Sequence, residues 1–291
     1  MLKALSQMFR PKEVVAAPAD GKVTLVDVLE SDWFELWYQP KIELRTMRLY
    51  GAEALVRARH PQRGVLPPGV FLPGAGEAEM LELTERVIVT ALHDWNDFAA
   101  NGFAPKIAVN VPVSALVNLP ISTMVNEERP QAENWPGLIL EVTEDEIIRD
   151  LKLANDAAEK LSASRCTLAL DDFGAGYSSI ARLKQLPFSE LKIDRAYVIN
   201  CHSDRVNAGL CEVFVELAKR FGLKTVAEGI ESVHESHKLQ ALGCDIGQGY
   251  LYAKPMSKAQ LIGAARRRGA TAPAPPPRRG LAALFPGFSK T

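Results

Sequence analysis

Between residues 26 and 264, short β-rich runs alternate with longer stretches whose apolar positions recur at helical spacing. The β-rich runs lie at 35–39 (ELWYQ), 47–56 (MRLYGAEALV), 106–111 (KIAVNV), 138–143 (LILEVT), 167–172 (TLALDD), 190–194 (ELKID), 224–228 (KTVAE) and 245–250 (DIGQGY). Helical spacing covers 77–100, with Met80, Leu81, Leu83, Val87, Ile88 and Leu92 at its apolar positions, and recurs over 145–163, 204–221 and 232–242. Thr143 and Ser232 stand where helix N-caps are expected. Strands that alternate with helices predict an α/β fold with a parallel sheet. Eight strands in about 240 residues predict a (β/α)8 barrel. A doubly wound open sheet satisfies the same alternation. Both ends read as tails: residues 1–25 are short and mixed, with room for a short helix, and residues 265–291 join Arg clusters to a disordered or extended Pro/Ala stretch.

Polar residues recur toward the C-terminal ends of these strands. Glu53 lies in the second, Asn110 near the end of the third, Glu141 in the fourth, and Asp171 and Asp172 close the fifth. Lys192 sits in the sixth, Glu228 closes the seventh, and Gln248 lies in the eighth. Each alone reads as an ordinary ion pair, cap or loop residue. Together they fall on the face where a barrel assembles its active site. Five carboxylates at one mouth (Glu53, Glu141, Asp171, Asp172, Glu228) cannot all stay ionised without cations. With Asn110 as a neutral oxygen donor, the set suits the hard divalent ions Mg²⁺ or Mn²⁺. An aspartate shared between two ions would allow two-metal phosphoryl transfer or hydrolysis.

Composition narrows the classes. The 291 residues are 47% hydrophobic and 24% charged, which suits one large core or at most two domains. A net charge of -1 gives no general field for a nucleic-acid polymer. Cys166, Cys201, Cys211 and Cys244 form no CxxC pair and read as reduced thiols. No His/Cys cluster favours zinc; His60, beside Pro61, reads as structural, and the other histidines fall on predicted helices or loops. No run reaches a membrane span and no secretion signal is evident, so the cytoplasm is the expected compartment. GxxxxGK[ST], GxGxxG and GxSxG are all missing, which disfavours ATP-driven, dinucleotide redox and serine-hydrolase chemistry.

The stretch "GAEALVRARHP" (51–61) resembles the signature of the EAL-domain cyclic di-GMP phosphodiesterases. The resemblance begins upstream at "YQP" (38–40). It continues in order through "VNV" (109–111), "LEVTE" (140–144), "DDFGAGYSS" (171–179), "LKIDR" (191–195), "VAEGIES" (226–232) and "GQGYLYAKP" (247–255), so that it covers about residues 30–260. It implies a TIM-like barrel whose first strand, carrying Gln39, runs antiparallel to the rest. The implied reaction hydrolyses cyclic di-GMP to linear pGpG. The implied metal ligands are Glu53, Asn110, Glu141, Asp171 and Asp172, with Asp171 bridging two Mg²⁺ or Mn²⁺ ions. Lys192, Glu228 and Gln248 match the positions around the attacking water, with Glu228 also matched to the second metal. Gln39 and Arg57 match substrate contacts, and Glu231 matches a further site glutamate. "DFGAGYSS" matches a loop that supports the second metal and a homodimer interface, with Glu144 steadying it.

The departures are Ala175 where the family usually has Thr, Ala58 where an aromatic is common, and Gly76 where Glu is frequent. None replaces a proposed ligand. No sensor domain fits in residues 1–25, so regulation is expected through dimerisation, the tails or a separate partner. Three functions are weighed: an active phosphodiesterase, an inactive cyclic di-GMP receptor or scaffold, and a metal phosphodiesterase for another nucleotide. The intact ligand set with Lys192 and Glu228 favours the first.

Overall fold

The computed structural model describes residues 21–143, 158–174 and 187–269. Ten strands form one sheet: β1 (Phe34–Glu43), β2 (Arg48–His60), β3 (Gly64–Leu66), β4 (Lys106–Asn110), β5 (Leu138–Thr143), β6 (Cys166–Phe173), β7 (Phe188–Ile193), β8 (Lys224–Ala227), β9 (Ile246–Gly247) and β10 (Met256–Ser257). Neighbours run β1-β9-β8-β7-β6-β5-β4-β2, and β2 pairs back onto β1, so these eight strands close a barrel. From β2 through β4, β5, β6, β7 and β8 to β9 every pairing is parallel. β1 pairs antiparallel with both β2 and β9. Chain length dictates this: only residues 44–47 separate β1 from β2, and a parallel return needs a crossover of about a dozen residues or more. Met47 turns the hairpin at φ 54°, and its N–H donates to Glu43 O at 2.8 Å.

Helices cover the outside. The helix Glu77–Ala100 buries Leu83, Val87, Ile88, Ala91, Leu92, Trp95 and Phe98 against the barrel, the stripe its apolar spacing predicts. Gly76 is its N-cap, and its backbone N–H donates to the Glu79 carboxylate. The helices Arg205–Arg220 and Val233–Leu242 match the expected spans closely. Ser232 caps the latter and accepts the Glu235 N–H at 3.2 Å. Thr143 is the last residue of β5; Glu144 and residues 145–157 of the predicted helix 145–163, which Thr143 is expected to cap, lie outside the described residues.

The sequence boundaries shift at both ends. Thr24 and Asp27 cap a helix Leu25–Glu30 reciprocally, and Val23 and Leu25 are buried, so this stretch packs with the barrel. The helix Lys258–Gly269 continues past residue 264. β3 and β10, and the strand length of β9, also escape the sequence pattern, because two or three residues carry no readable period. All four cysteines are buried and unpaired. Among the described residues no helix is long and apolar enough to cross a membrane.

One cluster ties β1 to the outer helices. Tyr38 is fully buried and its hydroxyl donates to Asp94 Oδ2 at 2.6 Å, while Lys258 Nζ reaches Asp94 at 2.7 Å and Asp97 at 2.6 Å. Tyr38→Phe leaves a buried carboxylate oxygen without its donor and is expected to cost about 1–3 kcal/mol. Urea denaturation with an unchanged m-value checks it.

Candidate active site

The barrel interior is polar where a parallel barrel is ordinarily aliphatic. Gln39 and Lys41 on β1, Glu53 on β2, Glu141 on β5, Asp171 on β6, Glu190 and Lys192 on β7, and Gln248 after β9 are all buried. Adjacent strands set the register: Gln39 lies opposite Glu53, and Asn110 beside Glu141. These side chains form two hydrogen-bonded groups. In the first, Glu53 accepts from Asn110 Nδ2 at 2.8 Å and from Gln248 Nε2 at 2.5 Å. Gln248 Nε2 also donates to Gln39 Oε1 at 3.2 Å, and Gln39 Nε2 to Ala253 O at 3.2 Å. In the second, Lys192 Nζ contacts Glu141 Oε2 at 2.9 Å, Asp171 Oδ1 at 2.8 Å and Glu228 Oε1 at 2.8 Å.

Asp171 and Asp172 differ in exposure yet serve one mouth, with a carboxylate oxygen of each within 4.8 Å of the other. Asp172 adopts φ 53°, in the left-handed region, which leaves Asp171 buried and Asp172 exposed. The Asp172 N–H donates to Asp171 Oδ1 at 2.9 Å. Gly174 follows at φ 97°, and a Cβ there would lie 2.9 Å from both Phe214 and Tyr197; Tyr197 OH also donates to Gly174 O. The loop exit is therefore pinned to the neighbouring helices by a residue that must be glycine. On the other side, Glu235 Oε2 accepts the N–H groups of Glu231 at 3.0 Å and Ser232 at 2.9 Å, which fixes the turn after Glu228.

The residues open into a cleft of about 270 Å³ lined by Gln39, Glu53, Asp171, Lys192, Glu228 and Gln248. Glu231 lies on its rim, paired to Arg195 at 2.6 Å. Asn110 and Glu141 border an adjoining, more apolar cavity of about 280 Å³. Arg57 lines neither cavity: its guanidinium lies 5.9 Å from the Trp37 ring centroid, and Nη1 donates to Val56 O at 2.7 Å. Glu144 and Ala175 lie outside the described residues. His60, read as structural, is buried against Trp33, and its Nδ1 accepts from the N–H groups of Gln62 and Arg63.

Lys41 and Tyr250 are among the site residues with no counterpart in the sequence reading. Lys41 is wholly buried, with Nζ 2.5 Å from Glu141 Oε1. A lysine between Pro40 and Ile42 reads as solvated, and only its distant partners reveal its burial. Tyr250 is 58% exposed on the cleft wall, with Lys254 Nζ 5.5 Å from its ring centroid. Its position one residue after the Gly249 turn is a signal, although sequence alone gives it no direction.

Charge balance follows from the geometry. Against burial, which pushes it up, Lys192 and Lys41 hold the Glu141 carboxyl down at about 2. Burial opposes a charge on Lys192, but Glu141, Glu228, Glu53 and Asp171 keep its pKa well above the ordinary lysine value. Burial raises Glu53. Burial also pushes Glu228 up to about 8, because the pull of Lys192 does not offset it together with Asp171, Glu53 and Glu141. One carboxylate oxygen each from Asp171, Asp172 and Glu228 lies within 4.8 Å of the others. An all-oxygen, strongly anionic set of this kind fits a hard divalent cation.

Glu228 also sets the pH dependence. In the metal-free fold it keeps a proton that the unfolded chain loses above its ordinary 4.5. The folded state therefore binds more protons between pH 4.5 and about 8, and its stability falls as pH rises through that window. A cation displaces the proton. Mn²⁺ affinity is expected to rise with pH up to about 8, and binding at pH 7 to release about one proton from this site. Calorimetry in two buffers of different ionisation enthalpy counts it; zero release would contradict the assignment.

A family model described as EAL domain matches residues 23–255. Among curated proteins, the bifunctional diguanylate cyclase/cyclic di-GMP phosphodiesterase MucR of Pseudomonas aeruginosa is 36% identical over 241 residues, 82% of this chain and 35% of MucR. The cyclic di-GMP phosphodiesterase RocR of the same organism is 33% identical over 254 residues, 87% of this chain and 65% of RocR. The chain thus spans less than two thirds of either relative. A solved complex of the MucR phosphodiesterase with cyclic di-GMP superposes with a TM-score of 0.74 at 37% identity, covering 81% of this chain and 97% of that one.

Proposed function

The chain belongs to the EAL domain family, and on that premise we propose that it hydrolyses one phosphodiester bond of cyclic di-GMP to give linear pGpG. The observation that supports this best is a single mouth holding the Asp171, Asp172 and Glu228 carboxylates beside buried Lys192. Two Mg²⁺ or Mn²⁺ ions, when bound, would supply Lewis acidity and a water acidic enough to attack at neutral pH. Glu53, Asn110, Glu141, Asp171 and Asp172 would hold them, with Asp171 shared. In this reading the water oxygen attacks phosphorus, the P–O3′ bond breaks, and the leaving O3′ takes up a proton from solvent. Glu228, with its raised proton affinity, accepts the proton of the water. Lys192 bridges Asp171 and Glu228 and stabilises the attacking oxygen. Gln248 orients the water from its anchor on Glu53. Gln39, Arg57 and Glu231 contact the substrate, and the exposed Tyr250 ring offers a face on which a purine stacks.

The reaction belongs in the cytoplasm, where four unpaired buried thiols persist. Val206 and Val213, 69% and 59% exposed on one helix, leave apolar surface for a second copy, consistent with a homodimer. Chromatography of purified protein with Mn²⁺ and cyclic di-GMP tests the reading. Accumulating pGpG supports it, and Ca²⁺ in place of Mn²⁺ is expected to block turnover. Cyclic di-GMP bound but left intact would make the chain a receptor. Faster cleavage of another cyclic dinucleotide would move the substrate assignment.

A further inference from the structure

Lys41 has no exposed surface, and its Nζ stands between two carboxylates. It lies 2.5 Å from Glu141 Oε1 and 3.6 Å from Glu190 Oε2. Lys192 donates to the other Glu141 oxygen at 2.9 Å, so Glu141 faces an ammonium at each oxygen. A cation drawn to Glu141 meets like charge on both sides until one lysine yields. Lys192 is anchored by Asp171 and Glu228 as well. Lys41 has one other acceptor close by. Glu190 is 1% exposed, and its Oε1 accepts from Tyr50 OH at 2.8 Å. Its Oε2 is buried and has no hydrogen-bond partner among the described residues. A shift of the Lys41 ammonium by about 1 Å would bring the 3.6 Å separation to ordinary charge-assisted length.

We infer that Lys41 is a positioning residue that passes its hydrogen bond from Glu141 Oε1 to Glu190 Oε2 as Glu141 takes up a divalent cation. The inference rests on the reading of Glu141 as a metal ligand. The hand-over frees one Glu141 oxygen, satisfies a buried oxygen that lacks a donor, and moves a buried positive charge away from the incoming ion. Glu190 is its second acceptor, held in aim by Tyr50.

A double-mutant cycle on Mn²⁺ binding, read by calorimetry without substrate, tests the hand-over. Glu190→Gln keeps an acceptor for Tyr50 but turns an amide toward Lys41. It is expected to weaken Mn²⁺ binding about tenfold, the scale of a lost partner behind a metal ligand. In a Lys41→Met background, with no ammonium to rehouse, the same substitution is expected to change affinity less than about twofold. Equal weakening in both backgrounds would reduce the effect to through-space charge and overturn the proposal. Unchanged affinity in folded Glu190→Gln would overturn it too. Where Glu190→Gln yields no folded protein, Glu190→Asp withdraws the acceptor and reads the same coupling. No Mn²⁺ binding by the wild type would sink the metal reading and the hand-over together, whereas binding without coupling would sink the hand-over alone.

Discussion

Lys192→Met is expected to destabilise the metal-free protein by about 3–5 kcal/mol, the cost of removing one partner from a buried ion pair. Lys192 is 1% exposed, and its ammonium is the shared partner of Glu141, Asp171 and Glu228. Methionine fills similar space but leaves these carboxylates facing one another, with Lys41 remaining on Glu141 only. They can lower the cost by taking up protons, so the loss is expected to shrink as pH falls. Divalent cations offset the same repulsion. Thermal denaturation should therefore show a large deficit without metal and a much smaller one in saturating Mn²⁺. Turnover should stay at least about 100-fold below wild type even then, because the stabilisation of the attacking oxygen by the ammonium is not restored. A metal-free melting temperature equal to wild type would contradict the network.

Asp171→Asn should give the opposite pattern. The substitution is isosteric and keeps an oxygen to accept the Asp172 N–H, while Lys192 retains Glu141 and Glu228. One charge leaves a crowded anionic site, so metal-free stability is expected to stay within about 1 kcal/mol of wild type. Catalysis should fall on the order of a thousandfold, the equivalent of several kcal/mol of lost charge stabilisation by the shared cation site. Mn²⁺ calorimetry on the folded variant should show weaker binding. Retained turnover at saturating metal would remove Asp171 from the centre of the site. The two variants together separate a residue that balances the site electrostatically from one that serves its chemistry.

Much of this was legible in the sequence because strand ends carry the chemistry of a barrel. An apolar run that stops at Asp171, or at Glu228, marks both the strand and its functional end. The antiparallel first strand, implied by resemblance, also follows from the few residues between Glu43 and Arg48. Lys41 and Glu190 were not legible: Lys41 lies just past the run 35–39 and Glu190 opens the run 190–194, where a charge reads as solvated, and their pairing spans about half of the chain. The burial of Asp171 beside an exposed Asp172 that still reaches the same mouth goes with a left-handed φ that aspartate adopts only in context. Asn110, expected as an oxygen ligand, donates through its Nδ2 to Glu53 Oε1.

The central claim is that this mouth is a cation-dependent phosphodiesterase centre for cyclic di-GMP. The most direct measurement strips the protein with a chelator, adds cyclic di-GMP, and follows pGpG by chromatography before and after stepwise Mn²⁺. The account predicts no pGpG before metal and a rate that rises with added Mn²⁺ to saturation, with Asp171→Asn on the baseline throughout. Cleavage at full rate without metal, or no pGpG at saturating Mn²⁺ with cyclic di-GMP bound, would contradict it.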